Sequence, residues 1–138
     1  DVLEPMYNPW PEPEFLARRL PARAQVIVSM PNIGHLSVLK DLAQGTFPYR
    51  AMGILDVTHL RFFTREGMLA MFRETGFEVE DSWILSGTPQ AEIEAFPAQV
   101  AVGDKLRITV DSAEEWQQLN AVQFGFRLAP MREGNAAA

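Results

Sequence analysis

The spacing of apolar residues in the first third of the chain predicts short alternating helices and strands. Residues 12–20 carry apolar side chains at helical spacing. The β-branched run at residues 25–30 ends at Pro31, which predicts a buried strand of the parallel type. Residues 36–44 have the pattern of a second helix, which Gly45 ends. This order of elements favours an α/β layer fold.

The middle of the chain contains an irregular apolar segment followed by a well-signalled helix. Residues 46–63 have no clean period, yet they are rich in aromatic and aliphatic side chains, so we expect them to pack as a lid or wall. Thr64 has the character of a helix N-cap, and Gly76 closes the helix that follows. Partial alternation over residues 77–85 predicts a strand, and residues 86–97 form a loop.

The last third of the chain alternates more clearly. Residues 105–110 predict a strand, and Ser112 with Glu115 forms a capping-box pattern that predicts a helix over residues 114–119. Residues 121–129 place Phe124, Phe126 and Leu128 on one face, which strongly predicts a further strand. Residues 130–138 have no pattern, and we expect a disordered tail there.

Composition narrows the classes of function. The 138 residues have a net charge of −6, and all of this excess lies in residues 77–138. A chain with so few clustered bases does not suit nucleic acid, and no apolar run approaches the roughly 18–20 residues of a membrane span. The absence of cysteine is compatible with a reducing cytoplasm. The chain begins at Asp1 without a methionine, so we expect it to be part of a longer protein.

The segment at residues 46–63 also holds the densest polar cluster, formed by Asp56, His59 and Arg61. Two interpretations stay open. In one, His59 is a general base near neutral pH, Asp56 orients it or a substrate hydroxyl, and Arg61 binds an anionic group. In the other, Asp56 caps a turn, His59 bonds to backbone, and Arg61 pairs with an acid. Too few ligands surround this cluster for a metal, so no metal site is predicted.

Three stretches together resemble the C-terminal half of class I S-adenosylmethionine-dependent methyltransferases of the small-molecule and glycan-associated type. In sequence letters they are DVLE at residues 1–4, VIVSMPN at residues 26–32 and GILDVTHLRFFT at residues 53–64. The third stretch is fairly specific. Two departures from the family pattern stand out: Pro5 replaces a usual histidine, and no glycine-rich cofactor loop is present in the chain.

The resemblance implies a Rossmann-like sheet in which residues 1–129 supply the end of strand 4, strands 5 and 6, and an antiparallel strand 7, with a lid at about 46–63. It implies that the parent protein is an enzyme that moves a methyl group from S-adenosylmethionine to a small-molecule or sugar hydroxyl or amine. We expect the chain alone to be inactive, because most of the cofactor site is absent.

The resemblance and the local pattern together predict the site residues. His59 and Glu4 are the candidate catalytic bases, and Leu3 with Glu4 would lie beside the cofactor. The candidate substrate-binding residues are Asn32, His35, Asp56 and Arg61.

An alternative from a different class is a non-catalytic interaction or dimerisation domain that uses the apolar lid. Loss of the neighbouring strands would also leave the edge of the strand at residues 26–30 open, which favours a homodimer or a domain swap.

Overall fold

The computed structural model describes residues 2–131 and forms a mixed α/β fold with two antiparallel sheets. The helices of this described part are α1 (Pro11–Arg19), α2 (Leu36–Ala43), α3 (Arg65–Glu74) and α4 (Ala113–Leu119); the strands are β1 (Val26–Pro31), β2 (Phe77–Gly87), β3 (Ala98–Val102), β4 (Leu106–Val110) and β5 (Ala121–Pro130). The predicted α/β class is confirmed at this level. None of the helices in this range is long and apolar enough to cross a membrane.

The main sheet has the order β1-β5-β2, and β5 is antiparallel to both neighbours. The two outer strands therefore run parallel to each other without touching. The prediction that β1 is a buried strand with parallel partners is wrong. It pairs in an unbroken antiparallel register with β5, from Val26 opposite Leu128 to Pro31 opposite Gln123. Within the described range only one of its edges is paired, and Ile27 on its open face is 64% exposed.

The hydrophobic core lies between one face of β5 and helix α3. The alternating apolar residues of β5 put Phe124, Phe126 and Leu128 on this face, as predicted, and each is almost fully buried. The ring of Phe72 on α3 meets that of Phe126 edge-on, with centroids 5.1 Å apart. Burying a side chain of this size contributes about 1.5–3 kcal/mol, so this layer is the main source of stability.

The helix ends follow the predicted capping chemistry. The Thr64 hydroxyl accepts a hydrogen bond from the Gly67 amide at 3.0 Å, and the Ser112 hydroxyl accepts one from the Glu115 amide at 3.1 Å. The Glu115 carboxylate in turn accepts from the Asp111 amide, one residue before the N-cap. These bonds occupy amides that the first turn of a helix leaves without partners.

Two predictions at the boundaries need correction. Residues 2–4 are not the end of a strand, because Leu3 accepts a turn hydrogen bond from the Met6 amide at 3.2 Å. Pro130 belongs to β5 and not to a tail, and the Met131 amide donates to the Gly76 carbonyl at 2.8 Å. The remainder of the predicted tail, residues 132–138, lies outside the described residues.

The strands β3 and β4 form a separate hairpin, of which only β4 was predicted. Its turn contains Gly103, whose φ of +66° is a backbone conformation that favours glycine. Val102 and Val110 are buried on one side of the hairpin. The alternation of Val100 and Val102 before a Gly-Asp turn was the available sequence signal for β3.

Gly125 allows Trp83 to lie across the centre of the sheet. The two residues are opposite each other in β5 and β2, and a Cβ atom at residue 125 would overlap Nε1 and Cε2 of the indole. The backbone of Gly125 has no positive φ, so any cost of a side chain here is steric.

We predict that Gly125→Ala lowers the free energy of unfolding by about 1–3 kcal/mol, because the methyl group overpacks against the indole. Urea unfolding of G125A, Trp83→Ala and the double variant measures the interaction energy between positions 125 and 83. The cost of G125A should shrink markedly in the W83A background. Strictly additive costs would contradict the proposed contact.

Candidate functional site

The N-terminal segment is anchored to the end of the lid segment through backbone hydrogen bonds. The Glu4 carbonyl accepts from the Leu60 amide at 2.8 Å and from the Arg61 amide at 2.9 Å. Two stretches that lie more than fifty residues apart in sequence are therefore neighbours. Glu4 itself is 3% exposed, whereas Leu60 is 55% exposed, so the junction is buried only on its Glu4 side.

Arg61 strengthens the same junction. Its Nη2 donates to the Tyr7 carbonyl at 2.6 Å, and its guanidinium carbon lies 5.6 Å from the centroid of the Tyr7 ring. A cation over an aromatic face is held by the ring quadrupole. Arg61 thus has a structural partner, and its assignment to an anionic substrate group stays a prediction.

Asp56 is held in a tight turn. Its Oδ1 accepts from the Thr58 amide at 2.8 Å and from the Thr58 hydroxyl at 2.6 Å. These hydrogen bonds, first from the hydroxyl and then from the amide, lower the pKa of Asp56, and the nearby charge of His59 lowers it further. The turn-capping interpretation therefore describes the Asp56 side chain, which is an ionised acceptor and not a proton donor at neutral pH.

His59 lies next to this turn on the buried side of the segment. Its amide donates to the Asp56 carbonyl at 3.0 Å, the residue is 4% exposed, and its ring centroid is 6.5 Å from that of Phe62. The fold thus brings Asp56, His59 and the Glu4–Arg61 junction into one region. The roles of His59 and Glu4 as bases stay predictions.

The segment at residues 46–63 is only partly packed, so the prediction of a packed lid or wall holds for one side of it. Its inner side buries Leu55 and Phe63, and an edge-on aromatic contact joins Phe47 to Phe62 with centroids 5.5 Å apart. Its outer side exposes four large apolar residues, each by more than half: Tyr49, Met52, Val57 and Leu60.

Asn32, predicted to bind substrate, instead connects the end of β1 to the start of β5. It is 3% exposed, and its Nδ2 donates to the carbonyls of Ala121 at 2.9 Å and Gln118 at 3.2 Å. Its Oδ1 accepts from the Gly34 amide at 2.9 Å. All of these bonds are made within the fold, so the observed role of the side chain is structural.

His35 lies in the same network and caps helix α2. Its Nδ1 accepts from the Ser37 amide at 3.0 Å, which assigns the proton of the neutral ring to Nε2. Nε2 then donates to the Thr88 hydroxyl at 3.0 Å, and that hydroxyl lies 3.3 Å from the Asn120 carbonyl. Thr88 and Asn120 were not predicted, because nothing in the sequence signals a partner more than fifty residues away.

A cavity of about 360 Å³ separates the N-terminal segment and α1 from the unpaired edge of β1. Leu3 and Glu4 line it, as do Glu12 and Leu16 of α1, which the sequence did not nominate. Among the described residues no group of three or more His, Asp or Glu side chains could hold a metal ion.

Comparison with known proteins does not identify the chain. No family model matches it, and no curated protein matches its sequence. The likeness to methyltransferases therefore stays a prediction that the site geometry must support by itself.

We predict that Asn32→Ala lowers the free energy of unfolding by about 2–3 kcal/mol, because it leaves buried carbonyls and an amide without partners. Chemical denaturation measures this value. Asn8→Ala, at an exposed asparagine, should change stability by less than about 0.5 kcal/mol and serves as the matched control. Equal effects of the two variants would contradict a structural role for Asn32.

The buried position of His35 makes stability depend on pH. Burial lowers the pKa of His35 from its ordinary 6.5, and the Asn120 carbonyl only partly opposes this effect. As the pH falls below about 6.5, the unfolded chain takes up the proton before the folded chain does. The contribution of His35 to the free energy of unfolding is therefore complete above about pH 6.5 and is lost below it.

We predict that the free energy of unfolding falls between about pH 7 and about pH 5, and that His35→Asn flattens this fall while keeping a capping side chain. Denaturant titrations at each pH measure the slope. Asp56 does not confound this range, because its lowered pKa gives a contribution to stability that is complete above about pH 3.8 and is lost only below it. An unchanged slope in H35N would exclude His35 as the group responsible.

Proposed function

We propose that this chain is the acceptor-side part of an S-adenosylmethionine-dependent methyltransferase that acts on a small-molecule or sugar hydroxyl or amine. The observation that carries the proposal is the placement of the last strand. β5 lies antiparallel between β1 and β2, which are themselves parallel. The methyltransferase resemblance expects an antiparallel strand 7 after strands 5 and 6, and β5 has that orientation relative to β1 and β2.

The junction at Glu4 supports the same proposal. The resemblance concerns three separate stretches, and the first contacts the third through the Glu4 carbonyl and the amides of Leu60 and Arg61. The second stretch joins them where the Ile33 amide donates to the Phe63 carbonyl at 2.9 Å. All three stretches therefore meet near the carboxyl end of β1, where open α/β sheets bind their ligands.

The described residues do not form a complete cofactor site. No glycine-rich turn, which the resemblance expects at the cofactor site, is present in the sequence. We therefore assign cofactor binding mainly to other parts of the parent domain.

The chain's own residues suit the acceptor side of such a reaction. His59 and Glu4 are buried candidates to take a proton from an acceptor hydroxyl or ammonium group. Asp56, whose pKa is lowered in part by the charge of His59, lies beside it in the same turn and could orient an acceptor hydroxyl. A dry, ordered setting of this kind promotes transfer reactions by orientation and exclusion of water.

A second candidate function, a non-catalytic interaction or dimerisation domain, is favoured by the outer side of the lid segment. Its four exposed residues (Tyr49, Met52, Val57 and Leu60) form a larger apolar surface than a solvated loop normally presents. This function requires no cofactor, which makes it separable from the first.

We predict that the product of the complete open reading frame containing this sequence binds S-adenosylmethionine with micromolar affinity, whereas the 138-residue chain does not. Isothermal titration calorimetry measures both. The expected difference follows from the missing glycine-rich turn.

Two outcomes would overturn this assignment. Micromolar binding by the 138-residue chain would contradict its being only the acceptor-side part. A complete product that binds no cofactor would contradict the methyltransferase function, and self-association of that product would then favour the interaction domain.

A further inference from the structure

The cavity beside β1 has the shape and charge of a small-molecule site, and we propose that it binds a small hydrophobic amine in its ammonium form. Such a site would not require the proposed methyltransferase activity. It concerns a ligand other than the cofactor, of a size that the described residues can enclose.

The walls of the cavity are mainly apolar and continuous with the core. Leu16 of α1 and Val28 of β1 form opposite sides, and Phe72, Phe77 and Leu128 reach it from the core. Its volume of about 360 Å³ lies within the range of small-ligand pockets, and it suits a ligand of roughly a dozen non-hydrogen atoms. An apolar body would remove these walls from water and gain the hydrophobic free energy of burial.

The charges that line the cavity have one sign. Among the described residues that line the cavity, Glu4 and Glu12 are the only ones with ionisable side chains, and none is a lysine, arginine or histidine. A ligand carrying a carboxylate would therefore be repelled, whereas a ligand carrying an ammonium group would be attracted.

Glu4 gives this preference its strength. The residue is 97% buried by accessible surface, since only 3% is exposed. Within residues 2–131 its carboxylate has neither a hydrogen-bond nor an ion-pair partner, although its backbone carbonyl is fully used by Leu60 and Arg61. The carboxylate oxygens are not fully enclosed and Glu4 lines the cavity, so a cation bound there would pair with them.

The two carboxylates would have different tasks. Glu4 is 3% exposed, and this low exposure strengthens its charge interaction with an ammonium group. Glu12 is exposed, so solvent screens its charge and it contributes mainly to attraction of the ligand. The ligand is therefore oriented with its amine toward Glu4 and its apolar end toward Leu16.

Binding is tested with three ligands of nearly equal shape. Phenylbutylamine, phenylbutanol and phenylbutyrate are each titrated into the 138-residue chain at pH about 7, where an alkylamine is protonated. We expect saturable binding of the amine, roughly tenfold weaker binding of the alcohol, and none of the acid.

Three variants locate the site. Glu4→Gln should weaken amine binding about tenfold, abolish the preference over the alcohol, and raise the melting temperature of the free chain because a buried charge is removed. Leu16→Trp should block all three ligands by filling the cavity from an exposed position. Glu14→Gln, on the same helix but outside the cavity lining, is the control and should change neither binding nor preference.

Each of these measurements has a result that would contradict the proposed amine site. Equal affinity for amine and alcohol, or amine binding that survives both E4Q and L16W, would overturn the proposal, as would no binding at millimolar ligand. Because L16W alters only an exposed residue, its result stays interpretable even if E4Q fails to fold. These results do not depend on S-adenosylmethionine binding, so either function can fail without the other.

Discussion

The structure depends on β5, which forms hydrogen bonds to a strand along each edge and packs one face into the core. β5 supplies the hydrogen-bond partners of both β1 and β2, and its phenylalanines supply the centre of the core. Neither outer strand has another partner within the described residues. The sheet therefore forms only when residues about a hundred positions apart have met, which makes its contacts predominantly long-range.

The two edges of this sheet differ in a way that bears on function. The strand β2 carries acidic residues and register irregularities near Asp81 and Ser86, and both features discourage further strand pairing. The uncharged strand β1 has an unbroken register and an apolar cavity beside it. The β1 edge therefore lacks both of the features that discourage further strand pairing at the β2 edge.

The polar residues nominated from the sequence fall into two separate groups with different physical tasks. Asn32 and His35 are committed to hydrogen bonds that join the end of β1, α2 and the start of β5. The residues Glu4, Asp56 and His59 instead lie around the junction of the N-terminal and lid segments. Within this second group Asp56 is held by the hydrogen bonds of its turn, whereas Glu4 contributes a carboxylate to the wall of the cavity.

Local signals in the sequence determined most of the elements. The caps at Thr64 and Ser112, the stop at Gly45 and the alternation through Phe124 and Phe126 act over a few residues, so they can be recognised without the fold. The tertiary structure alone decided the antiparallel pairing of β1, the partners of the buried His35, and the cavity at Glu4. Each of these depends on groups brought together from distant parts of the chain. Hydrophobic periodicity does not indicate which distant residue will supply a hydrogen bond or a charge.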